Sequence, residues 1–155
     1  MIVGFGWDVH PLAESGRLVI GGVLISESLG VVAHSDGDVL CHAIADALVG
    51  VVFGKDIGEL FPESPENENM DSLSALSEIA GMVENEGFRI VNVDCTVVFS
   101  RFKLSPFRPK IASNLKRALS CDNVSVKFKS GNSVGEVGKG KAIESFAVVL
   151  LEEIR

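Results

Sequence analysis

The sequence predicts one α+β domain: a mixed four-stranded main sheet with helices on one face, and a small N-terminal hairpin beside it. Three observations lead there. The chain has 155 residues, enough for one domain with a sizeable core and too few for two ordinary ones. Apolar residues make up 46% and charged residues 23%, a globular balance far from that of a disordered chain. Helical and extended periodicities interleave, yet several strands follow one another directly, which favours an α+β sheet over a doubly wound parallel one. Residues 1–155 read as a single domain, without internal repeat or low-complexity stretch.

The elements follow in order. Residues 2–9 read as a strand and 17–25 as an extended stretch kinked at Gly21-Gly22, a bulge or hairpin signal. A helix is expected over 36–52. Leu40, Ala43, Ile44, Ala47, Leu48 and Val51 give it helical spacing, Ser35 with Asp38 resembles a capping box, and Gly54 closes it. Residues 55–69, with Pro62 and Pro65, read as loop. A second helix covers 72–86, with Leu73, Leu76, Ile79, Ala80 and Val83 inward and Gly87 as its stop. Residues 88–99 form a strand in which Val91, Val93, Cys95, Val97 and Phe99 alternate with polar residues, Val98 breaking the pattern. Pro106 opens a third helix to Leu119, with Ile111 and Leu115 inward. Residues 124–129 and 142–152 are the last strands, separated by the glycine-rich run SGNSVGEVGKGK.

Charge and cysteine usage narrow the function. Fourteen Lys and Arg stand against 21 Asp and Glu, a net charge of −7, so general nucleic-acid binding is excluded. A small anion is not, because a metal ion or a nest of amides overrides net charge locally. Cys41, Cys95 and Cys121 form no CxxC, and an odd number cannot fully pair within one chain, which fits a reducing cytoplasm. No apolar run approaches the roughly 20 residues a membrane helix needs. The start, MIVGFGWDVH, lacks the pattern of a secretory signal, so a complete cytoplasmic chain is expected.

All three histidines fall in one polar cluster: Asp8-Val9-His10, then His34-Ser35-Asp36-Gly37-Asp38, then His42 and Asp46. In a strand Asp8 and His10 point the same way. On a helix Asp38, His42 and Asp46 share one stripe. If that helix packs beside the end of the first strand, Asp8, His10 and His42 converge, and two imidazoles with one carboxylate suit zinc with an open fourth position. Against this, a lone histidine is usually structural and an Asp-x-His pair recurs by chance. Asp46, one turn after His42, either orients the imidazole or is a solvated helix face; Asp38 shares its stripe. There is no GxSxG and no P-loop, and Cys41 cannot face His42 from the next position of a helix. The glycines and lysines of residues 130–141 suit a phosphate or, equally, a flexible hairpin.

Together GFGWDVHPL (4–12), IGGVLI (20–25), AHSDGDVLCHAIADALVG (33–50), DIGELFPE (56–63), NVDCTVV (92–98), the Lys-Leu-x-Pro stretch at 103–106 and GKG (138–140) resemble one family over essentially the whole chain. It is the 2-C-methyl-D-erythritol 2,4-cyclodiphosphate synthase family of non-mevalonate isoprenoid biosynthesis. The resemblance implies a phosphorus–oxygen lyase in which the 2-phosphate of a CDP-linked methylerythritol 2-phosphate attacks the β-phosphorus and CMP leaves. It implies Zn2+, or another divalent transition metal, on Asp8, His10 and His42, and Mg2+ or Mn2+ carried by the substrate phosphates. His34 and Ser35 would contact the methylerythritol and phosphate part, Asp56 and Gly58 the ribose. Lys103, Leu104 and the segment from Phe128 through Lys129 and Ser130 to Gly131 would line the cytidine pocket of a neighbouring subunit, with Lys139 beside the phosphates. The family is a homotrimer with interfacial active sites.

The C-terminal third departs from the family pattern. Lys129-Ser130-Gly131-Asn132 replaces a Thr-Thr-Thr-Glu-like run, so Asn132 stands where a carboxylate usually meets the second divalent ion. Phe99 replaces a small residue, Glu136 an aromatic one, and Lys139 an arginine. Two other readings compete: a zinc phosphohydrolase acting on a nucleotide diphosphate, and a trimeric zinc-stabilised binding protein without turnover.

Overall fold

The computed structural model describes residues 1–154. A long strand β1 (Ile2–Ala13) leads to a hairpin of β2 (Leu18–Ile20) and β3 (Val23–Ser26), then to a two-residue strand β4 (Gly30–Val31). Helix α1 (Val39–Phe53), a short α2 (Ile57–Leu60) and α3 (Ser72–Asn85) follow. Then come β5 (Phe88–Val98), α4 (Arg108–Leu119), β6 (Val124–Lys129), a one-turn α5 (Gly135–Gly138) and β7 (Ala142–Glu153). The main sheet runs β4-β1-β7-β5-β6, with only β5 and β6 parallel, joined through α4. The mixed α+β architecture agrees with the sequence reading. The strand count is corrected from four to five, because Gly30–Val31 caps the far end of β1 with a pairing too short to leave any periodicity.

Other expectations shift at the edges. Asp38, not Ser35, caps α1: its carboxylate accepts from the Cys41 amide at 3.0 Å, while Ser35 Oγ accepts from Gly37. Residues 55–69 are not plain loop. They hold α2, closed by a capping box of Asp56 and Glu59, and a 3-10 turn at Pro65–Asn67. The glycine-rich run is not a hairpin, since β6 and β7 are not neighbours; it winds into a 3-10 turn and α5. A bulge between Ile90 and Asn92 puts Val91 off the buried phase of Val93, Cys95 and Val97.

The core lies between the sheet and its helices, and α1 is its centre, with nine buried residues from Val39 to Val49. Glycines set how close α1 comes to the sheet. A Cβ at Gly6 would overlap the Ala43 carbonyl, and one at Gly4 the Ala47 carbonyl. Gly4 and Gly6 of β1 therefore meet the small Ala43 and Ala47 of α1 almost backbone to backbone. On the other face of β1, Val3 (63%), Phe5 (65%) and Trp7 (49%) stand exposed, continued by Val148 of β7. No helix among the described residues is long and apolar enough to cross a membrane.

Candidate functional site: a carboxylate and two imidazoles at a pocket

The close approach of β1 to α1 builds the site. Asp8 and His10 continue the helix-facing side of β1 past Gly4 and Gly6, and His42 precedes Ala43, which sits on Gly6. Asp8 Oδ2 lies 2.9 Å from His10 Nε2 and 3.1 Å from His42 Nδ1, and the two nitrogens are 3.3 Å apart. Three ligand atoms on tetrahedral zinc, at about 2.0–2.1 Å from the ion, stand about 3.3 Å from one another. The triangle observed has that size. No other group of three His, Cys, Asp or Glu among the described residues is gathered to hold an ion.

The electrostatics are those of a compact ion-pair cluster. Burial would raise the Asp8 carboxyl, but hydrogen bonds and charge from His10 and His42 outweigh it and bring it down to about 2. Burial would lower His42, yet its contacts with Asp8 hold it above the ordinary imidazole value.

His10, His34, Ser35, His42, Gly58 and Phe61 line a pocket beside this cluster. His34 Nε2 lies 3.0 Å from the Ser64 carbonyl oxygen, and Ser35 Oγ 3.1 Å from His42 Nε2. Asp56 does not line the pocket; it caps α2, its Oδ1 accepting from the Glu59 amide at 2.8 Å. Neither the Asp38 nor the Asp46 carboxylate bonds the His42 ring; Asp38 meets His42 only through its backbone carbonyl, which accepts the His42 amide at 3.0 Å. Asp38 is fully buried and accepts amides from Gly21, Gly22 and Cys41 at 2.8–3.0 Å, tying the β2–β3 turn to the start of α1. Burial pushes its carboxyl up, partly offset by those amides. Asp46 Oδ1 accepts from the Ile57 amide at 3.1 Å and so anchors α2. Sequence reasoning missed Ser72, whose Oγ lies 2.9 Å from His42 Nε2. It also missed Phe61, Asn67 and Met70 as pocket lining. Only the FPE of the quoted 56–63 segment pointed there.

A second pocket lies at Phe99, Phe102, Lys103, Leu104, Lys129 and Ser130, and it shares no lining residue with the first. Phe99 is buried, with the Phe102 ring edge-on at 4.9 Å. Leu104 is buried as well, so its side chain belongs to the core. Gly131, Asn132 and Ser133 all take positive φ (73°, 49° and 62°), a conformation uncommon for the latter two. Gly131 also packs against Gly138, where an added Cβ would come within 3.0 Å of its Cα. Lys139 is exposed, 3.9 Å from Glu136.

A helix-covered sheet bearing one carboxylate and two imidazoles beside a pocket defines a domain built around a divalent-metal site. The chain belongs to the YgbB family, whose model matches residues 1–152. The 2-C-methyl-D-erythritol 2,4-cyclodiphosphate synthase of Thermotoga maritima is 53% identical over 99% of this chain and 93% of its own. That of Solibacter usitatus is 44% identical over 97% and 96%. Among solved structures, the IspF–CDP complex of Plasmodium falciparum has a TM-score of 0.86 at 34% identity, covering 99% of this chain and 96% of that one. The bifunctional IspDF of Campylobacter jejuni has a TM-score of 0.93 at 33% identity; the match covers 98% of this chain and spans 42% of that longer one.

Proposed function

We propose that this chain forms 2-C-methyl-D-erythritol 2,4-cyclodiphosphate. An oxygen of the substrate's 2-phosphate bonds to the β-phosphorus, the bond from that phosphorus to the α–β bridging oxygen breaks, and CMP leaves with the electron pair. One observation carries the reading: the Asp8, His10 and His42 triangle beside a pocket, in a chain matched over its length by curated synthases of that name. The reaction is intramolecular, so positioning and charge neutralisation suffice and no protein nucleophile is needed.

Asp8, His10 and His42 would hold the metal, which we take to be Zn2+ from its two nitrogen donors and one oxygen donor. When bound, it supplies Lewis-acid polarisation of a phosphoryl oxygen. His34, Ser35 and Gly58 line the same pocket: His34 and Ser35 would take the methylerythritol and phosphate part, and Gly58, with Asp56 two residues before it in the chain, the ribose. Lys103 and Lys129, which line the second pocket, and Lys139 outside it would offset the negative charge of the diphosphate, while Ser130, the backbone at Leu104 and the adjoining Gly131 would shape the cytidine pocket. Asn132 would offer a neutral oxygen to a second divalent ion, Mg2+ or Mn2+, which would neutralise charge on the substrate phosphates.

The two pockets are separate and the outer sheet face is apolar, which supports a homotrimer in which one subunit's nucleotide pocket completes its neighbour's metal pocket. Three buried, unpaired cysteines fit action in the reducing cytoplasm.

The test is incubation with the CDP-linked substrate, followed by phosphorus NMR. A cyclic diphosphate together with CMP is expected, and both should vanish on chelation. A linear product would replace this reading with a phosphohydrolase, and binding without CMP release with a non-catalytic protein.

A further inference from the structure

We propose that Ser72 and Asp36 are positioning residues for His42: they hold its ring with the proton on Nε2 and so aim the Nδ1 lone pair at the metal position. The inference rests on the reading of Asp8, His10 and His42 as metal ligands, and concerns two residues which that reading does not use.

The direction of each hydrogen carries the argument. His42 turns Nδ1 toward Asp8 and His10, and Nε2 away from them, toward Ser72 Oγ at 2.9 Å and Ser35 Oγ at 3.1 Å. The Ser72 hydroxyl has one proton and donates it to Asp36 Oδ1. Asp36 is itself fixed, for Oδ1 accepts the Asp38 amide at 3.1 Å and Oδ2 the Ser72 amide at 3.0 Å. Ser72 Oγ is left with lone pairs only, so it can only accept a proton from His42 Nε2. Ser35 Oγ already accepts the Gly37 amide and offers Nε2 a second acceptor. Nε2 therefore keeps its proton, and Nδ1, which faces the Asp8 carboxylate at 3.1 Å, is the nitrogen left to offer a lone pair once a metal takes the place of the proton between them.

Ser72 is only 3% exposed, so water does not readily replace its hydroxyl. Metal-bound imidazoles are commonly held through their other nitrogen by a carboxylate or carbonyl; here a serine stands between ring and carboxylate. Asp46, whose helical spacing suggested this role, is engaged by the Ile57 amide instead.

Zinc affinity of the full chain, measured by competition with a chromophoric chelator, tests the proposal. Ser72→Ala should weaken zinc binding about tenfold to hundredfold, and Ser72→Thr, which keeps the hydroxyl, should restore most of it. The start of α3 should survive, because Asp71 and not Ser72 caps it. Unchanged zinc affinity in Ser72→Ala, or a Ser72→Thr variant that binds zinc no better than Ser72→Ala, would overturn the proposal. His42→Ala separates the two claims: if it binds zinc like the parent, the ligand assignment fails, whereas weak binding there with normal binding in Ser72→Ala removes only the present inference.

Discussion

Asp38, Asp46 and Asp8 show how one residue type takes three roles along one helix and the strand beside it. Asp38 is buried and answers three backbone amides from two separate segments. Asp46, two turns along α1, steadies the amide of Ile57 at the entrance to α2. Asp8 meets two imidazoles and is held strongly acidic by them. Removing the Asp38 acceptor strands three donors away from water, each costing about 1–3 kcal/mol when unsatisfied. Asp38→Ala should therefore lose about 3 kcal/mol or more of stability in urea unfolding, and Asp38→Asn, which keeps one acceptor, less. A variant as stable as the parent would mean that the turn at Gly21 and Gly22 finds other partners.

At the scale of elements, the decisive contact is β1 against α1. Gly4 and Gly6 present no side chains to the helix, and Ala43 and Ala47 present the smallest. This lets His42 reach Asp8 across the seam. Gly6→Ala must push the two elements apart, since its Cβ would meet backbone that cannot rotate away. It should cost at least about 2 kcal/mol and weaken zinc binding together with stability. Gly81→Ala is the control: nothing lies within 4 Å of its added Cβ, in the middle of α3, so it should stabilise by about 0.5–1 kcal/mol. Thermal melts and the chelator competition read both effects. Equal melting of Gly6→Ala and parent would refute the close packing.

For the whole molecule, the sheet has two unlike faces. One is covered by α1, α3 and α4. The other shows Val3, Phe5, Trp7 and Val148 in adjacent rows, with the Phe5 and Phe146 rings 6.5 Å apart. A contiguous apolar surface of this kind marks an interface. Phe5→Glu places a charge in its middle. If the proposed trimer forms, light scattering at micromolar concentration should show this variant as a monomer, with zinc affinity kept and turnover lost. A parent that is already monomeric would refute the proposed trimer and the shared active site proposed with it.

Much of the molecule was legible in residue order. Periodicity is local, so the long strands and helices, the cap glycine at 54 and the single domain could be read from neighbouring residues. The likeness of the 4–12 and 33–50 segments to one family named the triad, and the geometry then brought Asp8, His10 and His42 together. What the sequence could not supply depends on partners distant along the chain. Gly30–Val31 is a strand only because β1 lies beside it. Asp38 and Asp46 share a stripe with His42, yet their carboxylates go to amides of other segments, because buried donors must be satisfied wherever the fold brings them. Ser72, thirty residues beyond His42, reaches its ring only once α3 packs beside α1. Side-chain spacing determined which residues could share a face; backbone donors and acceptors, meeting in tertiary structure, decided what each of them holds.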